Sequence, residues 1–331
     1  MNASTFVLAT GLFNTPLAVA PRRIEGIAAT LFAARTDCGT VQSDCTPVGG
    51  NRANTETGIL DDTRPYTVIA GVAIIPVYGL LVQKSGSLWP YLDTVGYVTG
   101  YDGLRACIGA ALADRAVRAI VLDANSDGGQ LAGMLDLSDA IYRARGRKPL
   151  WAILGESACS AAYALASACD RVIVPRTGDT GGIGVIVAHT DFSKALDRSG
   201  VAVTLIASGA RKADGNEFKP LSREAYRRIK ADIDTLGELF IRTVARNRGL
   251  AVSKVHATQG ATYLGGAGKV VGFADAVMSP DAAFARLLDR LDRPVDQPGQ
   301  QRTPTGGSGR RASRKSWSRA EYRAEIARAF R

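Results

Sequence analysis

The chain has 331 residues, 46% of them apolar, which leaves room for one large α/β domain with extensions or for two domains. No apolar run approaches the ~20 residues that span a bilayer, and no basic region precedes the first apolar residues as it does in a secretory signal. Of the net charge of +10, the stretch Gln301 to Arg331 carries +7, so the body is not a basic nucleic-acid-binding core, while the tail can touch nucleic acid or an acidic partner.

Residues 1–20 are apolar without a clear period, and Pro21 opens a predicted helix from Arg22 to Ala34. Residues 36–65, rich in Thr, Asp, Gly and Asn, read as a linker. The apolar run Thr67 to Val82, broken at Gly71, Pro76 and Gly79, predicts two successive strands. A short helix from Gly103 to Leu112 follows, then a strand from Val117 to Asp123 that ends in Ala-Asn-Ser-Asp-Gly-Gly. Leu131, Met134, Leu135, Ser138 and Ile141 mark the inward face of the next helix.

Pro149 to Leu154 reads as a buried strand and Ala161 to Cys169 as a helix of small residues. Strands are expected at Arg171 to Val174, along Thr180-Gly-Gly-Ile-Gly-Val-Ile-Val, and at Val201 to Ile206, with a helix at Lys194 to Ser199 between the last two. A long helix is expected from Arg223 to Arg248, with the stripe Ile229, Ile233, Leu236, Phe240 and Val244 inward and Gly249 as its stop. The domain closes near Leu291, and Pro294 to Lys315 reads as a flexible linker. Beyond it, a capping box at Ser318 to Glu321 and a Trp317–Tyr322 staple predict a short amphipathic helix, a frayed terminus or a docking element for a partner. The division is therefore an N-terminal arm (1–35), a linker (36–65), a main domain (66–292) and a basic tail (293–331).

Strand alternating with helix implies a mainly parallel sheet flanked by helices, whose working residues lie beyond the strands' carboxyl ends. Asn125 to Gly129 and Ser160 both fall at such ends. The Ser160 hydroxyl is placed to serve either as a helix N-cap or as a nucleophile. As a nucleophile it needs oxyanion donors, for which the backbone N–H groups of Ala161 and Gly129 are candidates, and a base.

Only two histidines exist. His189 ends an apolar stretch with Asp191 nearby, and His256 sits in a polar helical stretch. The other candidate base is Lys212, in Ser208-Gly-Ala-Arg-Lys-Ala-Asp-Gly215, which on pattern alone is also compatible with a solvated loop lysine. A lysine base works only once burial has brought its pKa from ~10.4 down to about 7–8, against roughly 4 kcal/mol favouring the charged form. Gly265-Gly-Ala-Gly-Lys269 lacks the pattern of a phosphate loop and Gly181-Gly-Ile-Gly184 that of a dinucleotide site, and both read as turns. The cysteines Cys38, Cys45, Cys107, Cys159 and Cys169 form no CxxC pair and read as reduced thiols of a cytosolic protein. The carboxylates form no metal-ligand pattern, and no metal or cofactor is expected.

In order along the chain, Asn125-Ser-Asp-Gly-Gly129, Ala158-Cys-Ser160-Ala-Ala-Tyr163, Thr180-Gly-Gly-Ile-Gly-Val185 and Ser208-Gly-Ala-Arg-Lys212-Ala-Asp-Gly215 resemble the signal peptide peptidase A family of Ser-Lys proteases. Phe13-Asn-Thr-Pro16, Ile75-Pro-Val-Tyr-Gly79, Val187-Ala-His-Thr-Asp-Phe-Ser193 and Lys212-Ala-Asp-Gly-Asn-Glu-Phe218 resemble its phage head-maturation branch. Tyr263-Leu-Gly-Gly and Gly272-Phe-Ala-Asp275 resemble its closing motif, so the likeness runs over roughly residues 10–290.

The resemblance implies a crotonase/Clp-protease-like fold, Ser160 as nucleophile, Lys212 as general base, and Gly129 and Ala161 as the oxyanion hole; His189 stays the alternative base on the residues alone. It implies a homo-oligomer in which Lys212 can reach Ser160 of a neighbouring subunit, and a capsid or scaffold protein as substrate. The setting it implies is the cytoplasm of a bacterial host, within the phage prohead. Asp127 stands where the family usually has Pro, and Gly182 where it usually has Ser, which removes a hydroxyl that could position the lysine. Two other classes fit the same fold: a crotonase-like acyl-CoA enzyme, and a non-catalytic assembly factor.

Overall fold

Strands buried on both faces are near-continuous apolar runs, and three of them build the centre of this molecule. The computed structural model of the chain describes residues 16–19, 64–84 and 98–293. In chain order the elements are β1 (Leu17–Val19), β2 (Thr67–Ile69), β3 (Val72–Val82), β4 (Val98–Gly100), α1 (Tyr101–Ala113), β5 (Ala119–Gln130), α2 (Met134–Ala144), β6 (Leu150–Cys159) and α3 (Ala161–Ser167). They continue with β7 (Arg171–Val174), β8 (Asp179–Gly181), α4 (Ser193–Arg198), α5 (Arg223–Arg248), α6 (Val252–His256), β9 (Thr262–Leu264), α7 (Gly265–Val271), β10 (Ala276–Val277) and α8 (Pro280–Asp292).

The sheet runs β10-β7-β6-β5-β3-β2. The pairs β3–β5, β5–β6, β6–β7 and β7–β10 are parallel, and the hairpin β2–β3 is antiparallel. The expected α/β class with a mainly parallel, helix-flanked sheet is what the chain adopts. Alternating side chains divide the core in two. Ile75, Ile120, Leu122, Leu150, Ala152 and Leu154 face α1, α2, α3 and the end of α5, while Val72, Ile74, Val121, Trp151 and Ile153 face Phe284 and Leu287 of α8.

Several boundaries differ from the sequence reading. The strand placed at Val117 to Asp123 extends through Gly129 to Gln130, and the one ending at Leu154 runs on to Cys159. The β5 extension carries Asn, Ser and Gly and the β6 extension Gly and Ser, which look like loop, yet Asn125, Ser126, Gly128, Gly129, Ala158 and Cys159 here find ladder partners. The strand expected at Val201 to Ile206 is absent. Among the described residues that segment has no ladder partner and no sheet edge reaches it, and it is largely exposed, Ile206 to 96%. Gly265 to Lys269, read as a turn, opens the helix α7.

Helix α5 has the predicted bounds and ends at Gly249 with a left-handed φ of 63°. Only the latter part of its stripe, Phe240 and Val244, is buried; Ile229, Ile233 and Leu236 are half-buried. The helix predicted at Arg22 to Ala34, most of the 36–65 linker and the basic tail lie outside the described residues.

Candidate active site

Ser160 stands between β6 and α3, on a join whose neighbours are all small. All seven residues of α3 are buried, and Tyr163 is pinned by its hydroxyl donating to the Phe273 carbonyl at 2.9 Å. Ser160 itself is fully buried, with φ 52° and ψ −115°. A left-handed φ on a residue with a Cβ is costly, of order 1–3 kcal/mol, and persists only where the surroundings impose it. They do so here: the Ser160 N–H donates to the Gly181 carbonyl at 2.7 Å, and the Ser160 carbonyl accepts from the Ala164 N–H at 2.9 Å.

The N-cap alternative for Ser160 is overturned by this geometry. Ser222 and Ser279 cap α5 and α8 from extended backbone, each hydroxyl accepting the N–H three residues on. The Ser160 hydroxyl makes no such bond, and its Oγ, shut off from solvent, has no hydrogen-bond partner among the described residues. A buried hydroxyl without a partner forgoes roughly 1–3 kcal/mol, and such atoms concentrate where a site awaits a substrate or a proton acceptor.

Gly129 lies in the last stretch of β5, between β3 and β1. A methyl group on it would stand 1.9 Å from the Leu81 carbonyl oxygen, so only glycine fits. Ser126 sets the peptide geometry just before it. Its buried hydroxyl donates to the Gly79 carbonyl at 2.6 Å and accepts the Gly128 N–H at 3.1 Å, tying together irregularities in β3 and β5. Sequence reading passed over Ser126, although a serine two residues before a Gly-Gly pair is the available signal for such a turn-like tie. A methyl on Gly128 would fall 3.1 Å from the Ala161 nitrogen, so the backbone just ahead of Gly129 comes up against the start of α3, next to Ser160.

The two base candidates stand apart from this construction. Lys212 is exposed, in a turn-rich loop tied to α5 through Asp214 and Arg228 at 2.5 Å and to the chain ahead of α4 through Glu217 and Phe192. His189 is half-buried, and its Nε2 is shared with the Asn216 carbonyl at 3.0 Å, on the same loop. Neither side chain is bonded to the Ser160 hydroxyl within one chain. His256 is exposed on α6, as expected. Gly182, with φ 67°, packs over the serine, a methyl placed on it lying 3.2 Å from the Ser160 nitrogen.

One buried acid lies further back on β5. The Tyr78 hydroxyl donates to Asp123 Oδ2 while Oδ1 has no partner among the described residues, and burial pushes the carboxyl up to about 6 against the downward pull of that hydrogen bond. Among the described residues no group of three or more His, Cys, Asp or Glu is placed to hold a metal, and no helix is long and apolar enough to cross a membrane. Cys107, Cys159 and Cys169 are buried and not in disulfides.

Residues 143–292 match the profile of peptidase family S49. This stretch is a peptidase family S49 domain. Ser160, Ala161, His189 and Lys212 fall inside it and Gly129 ahead of it. The chain is 40% identical over 249 residues to the head-tail preconnector protein GP5 of Enterobacteria phage P21, covering 74% of this chain and 49% of that one. It is 38% identical over 229 residues to the capsid assembly protease C of Escherichia phage lambda (69% and 51% covered). It is 23% identical over 243 residues to protease 4 of Haemophilus influenzae (73% and 37%). The chain thus spans about half the length of the two phage relatives.

Among solved structures it resembles an enoyl-CoA hydratase/isomerase family member (TM-score 0.37, 16% identity, 68% of this chain and 74% of that one). A ClpP1 mutant from Listeria monocytogenes gives TM-score 0.35 at 12% identity (62% and 90%). Neither likeness bears on the chemistry of the S49 domain.

Proposed function

We propose that the chain is a serine endopeptidase that cleaves capsid or scaffold proteins during phage prohead maturation in a bacterial host, with Ser160 as nucleophile and Lys212 as general base. One observation carries this reading: a fully buried serine, held at a left-handed φ after a parallel strand, whose hydroxyl caps no helix and has no partner among the described residues. The S49 domain and the two phage relatives support the substrate class.

In the proposed reaction the Lys212 amine takes the Ser160 proton as Oγ adds to the substrate carbonyl carbon. The backbone N–H groups of Gly129 and Ala161 hold the oxyanion that forms. Collapse breaks the C–N bond, the lysine proton passes to the leaving amine, and water then releases the acyl group from Ser160.

Because a solvated lysine keeps its proton at neutral pH, Lys212 becomes a base only when enclosed. The loop that carries it follows the exposed, unpaired segment 201–206, with Val201, Val203 and Ile206 facing solvent. A neighbouring subunit covering that segment would enclose the amine and bring it to Ser160 of one protomer or the other. This favours Lys212 over His189, whose Nε2 is already engaged.

Co-expression with a phage capsid and scaffold protein tests the assignment. Ser160→Ala and Lys212→Ala should each abolish processing while His189→Ala retains it. Unchanged processing by Ser160→Ala removes the nucleophile, and loss with His189→Ala alone transfers the base.

A further inference from the structure

Beside Ser160 the sheet parts. β5 and β6 pair as far as Ser126 and Ala158, after which β6 turns to β8, pairing Ala158 with Thr180 and Cys159 with Gly181. β5 continues to Gln130 with only β3 on its other side, so the edge of Gly128–Gln130 faces Ile186 across a slot. The three residues of β1 fill it.

The register of β1 is antiparallel to β5: Leu17 opposite Gln130, Ala18 opposite Gly129, Val19 opposite Gly128. The Pro16 carbonyl accepts the Leu131 N–H at 3.2 Å, and alternation along an antiparallel ladder then turns Ala18 toward Gly129 and Leu17 away from β5. Leu17 accordingly meets the opposite wall: its N–H donates to the Ile186 carbonyl and its carbonyl accepts the Ile186 N–H, both at 2.9 Å. One short segment is thus bonded by its backbone on both edges, the way an extended peptide is bound by strand addition.

Its placement relative to the chemistry is close. The point where a Cβ on Gly128 would stand is 2.2 Å from the Ala18 carbonyl oxygen and 3.1 Å from the Ala161 nitrogen. A peptide carbonyl of the chain itself, that of the residue opposite Gly129, thus packs against Gly128 on the side where the start of α3 approaches. Ala18 is fully buried, so the space at this position closes around a methyl group.

We infer that the slot between Gly128–Gln130 and Ile186 is the groove that takes an extended polypeptide, and that Leu17–Val19 occupies it as a substrate-like strand which must leave before another chain can enter. The inference rests on the reading of Ser160 as nucleophile and adds to it an internal occupant and a preference. The substrate residue opposite Gly129 is small.

The test uses the full chain carrying Leu17→Cys and Gln130→Cys. These positions form the non-hydrogen-bonded pair of the ladder, where side chains stand closest and within disulfide reach. The probe is a fluorescent octapeptide with the sequence of residues 14–21, Asn-Thr-Pro-Leu-Ala-Val-Ala-Pro, followed by anisotropy in a Ser160→Ala background that needs no turnover. The reduced protein should bind it at least tenfold more tightly than the mass-verified cross-linked protein, and reduction should restore binding, which excludes misfolding as the cause. A Leu→Arg peptide at the Leu17 position should bind better than an Ala→Arg peptide at the Ala18 position. Equal binding by both redox forms, or none by either, overturns the groove assignment.

Fluorophosphonate labelling of Ser160, in the same cysteine pair with the serine intact, is read separately. An unlabelled serine with redox-dependent peptide binding discredits the nucleophile and leaves the groove; a labelled serine without redox dependence discredits the groove alone.

Discussion

The two halves of the proposed dyad are built in opposite ways. Around Ser160 the chain is fixed by burial: Ala158 and Cys159 at the end of β6, all of α3, and Ser126, Gly128 and Gly129 in β5 are buried, and the backbone is held in a conformation that serine avoids when free. Around Lys212 the chain is held by surface contacts, with an apolar segment unpaired beside it. A strained nucleophile needs rigid surroundings, and a single subunit supplies them. A lysine base needs desolvation, and a single subunit leaves it solvated. On the proposed reading, the contrast makes one half intrinsic to the fold and leaves the other to a neighbouring subunit.

The sharpest way to break that contrast is complementation. Ser160→Ala and Lys212→Ala should each lower peptide cleavage by roughly 10³-fold or more. If the lysine serves a neighbour's serine around a head-to-tail assembly, mixing the two variants after dissociation should return about a quarter of the sites to activity. Activity that stays absent in the mixture, together with full activity of isolated wild-type monomers, places both residues in one chain.

The next effect probes the rigid half. Gly129→Ala sets a methyl 1.9 Å from the Leu81 carbonyl, an overlap that only separation of β3 and β5 relieves. The expected loss is about 3 kcal/mol of unfolding free energy, read by urea denaturation, with activity lost alongside. A stable Gly129→Ala protein would mean that this edge yields, and would weaken the case that the oxyanion donors are preorganised.

How much of this was legible in the sequence follows from the same division. The strands at the sheet centre and α5 announce themselves by apolar runs and period, because burial on both faces or along one stripe leaves that imprint. Ser160, Gly129 and Lys212 stood out by order and residue type. The extensions of β5 through Gly129 and of β6 to Cys159 did not, because polar and glycine-rich residues carry no strand signal and are extended only through partners far away in sequence. β1 was illegible for another reason: three apolar residues in a stretch without a clear period show no strand until Gly128 to Gln130 and Ile186, far along the chain, pair with them. Val201 to Ile206 failed the other way: its β-branched, apolar run suits a strand, but propensity cannot create an edge to pair with. Whether Ser160 capped a helix was also beyond the sequence, since cap and nucleophile occupy the same place and differ only in φ, ψ and the direction of the hydroxyl.

Within the rigid half, Asp123 offers a measure of how tightly β5 is closed. Its carboxyl titrates at about 6 in the folded chain against 3.8 unperturbed, so between those values the folded state holds a proton that the unfolded state has lost. Stability therefore falls as pH rises from about 4 to about 6 and stays lower above, by roughly 3 kcal/mol in all. Asp123→Asn keeps an acceptor for the Tyr78 hydroxyl and should flatten that part of the curve, as followed by denaturation midpoints from pH 4 to 7. An unchanged slope would mean that water reaches the carboxylate and that the centre of the sheet is less sealed than Ser160 requires.

The smallest effect isolates the strain itself. At φ 52° and ψ −115° a Cβ is unfavourable whatever else the side chain does, so Ser160→Ala retains the strain and Ser160→Gly removes it. Both variants lose the nucleophile, and both remove the unpartnered hydroxyl. Any stability difference between them is left to the backbone, offset by the extra freedom glycine has in the unfolded chain. Ser160→Gly should be the more stable by about 1 kcal/mol, a shift of a few degrees in melting temperature. Equal stabilities would mean that the turn between β6 and α3 relaxes when the hydroxyl is gone, so that the serine's conformation is held by its own side chain and not by the packing of α3. In that case the nucleophile half would be no more intrinsic to the fold than the lysine half.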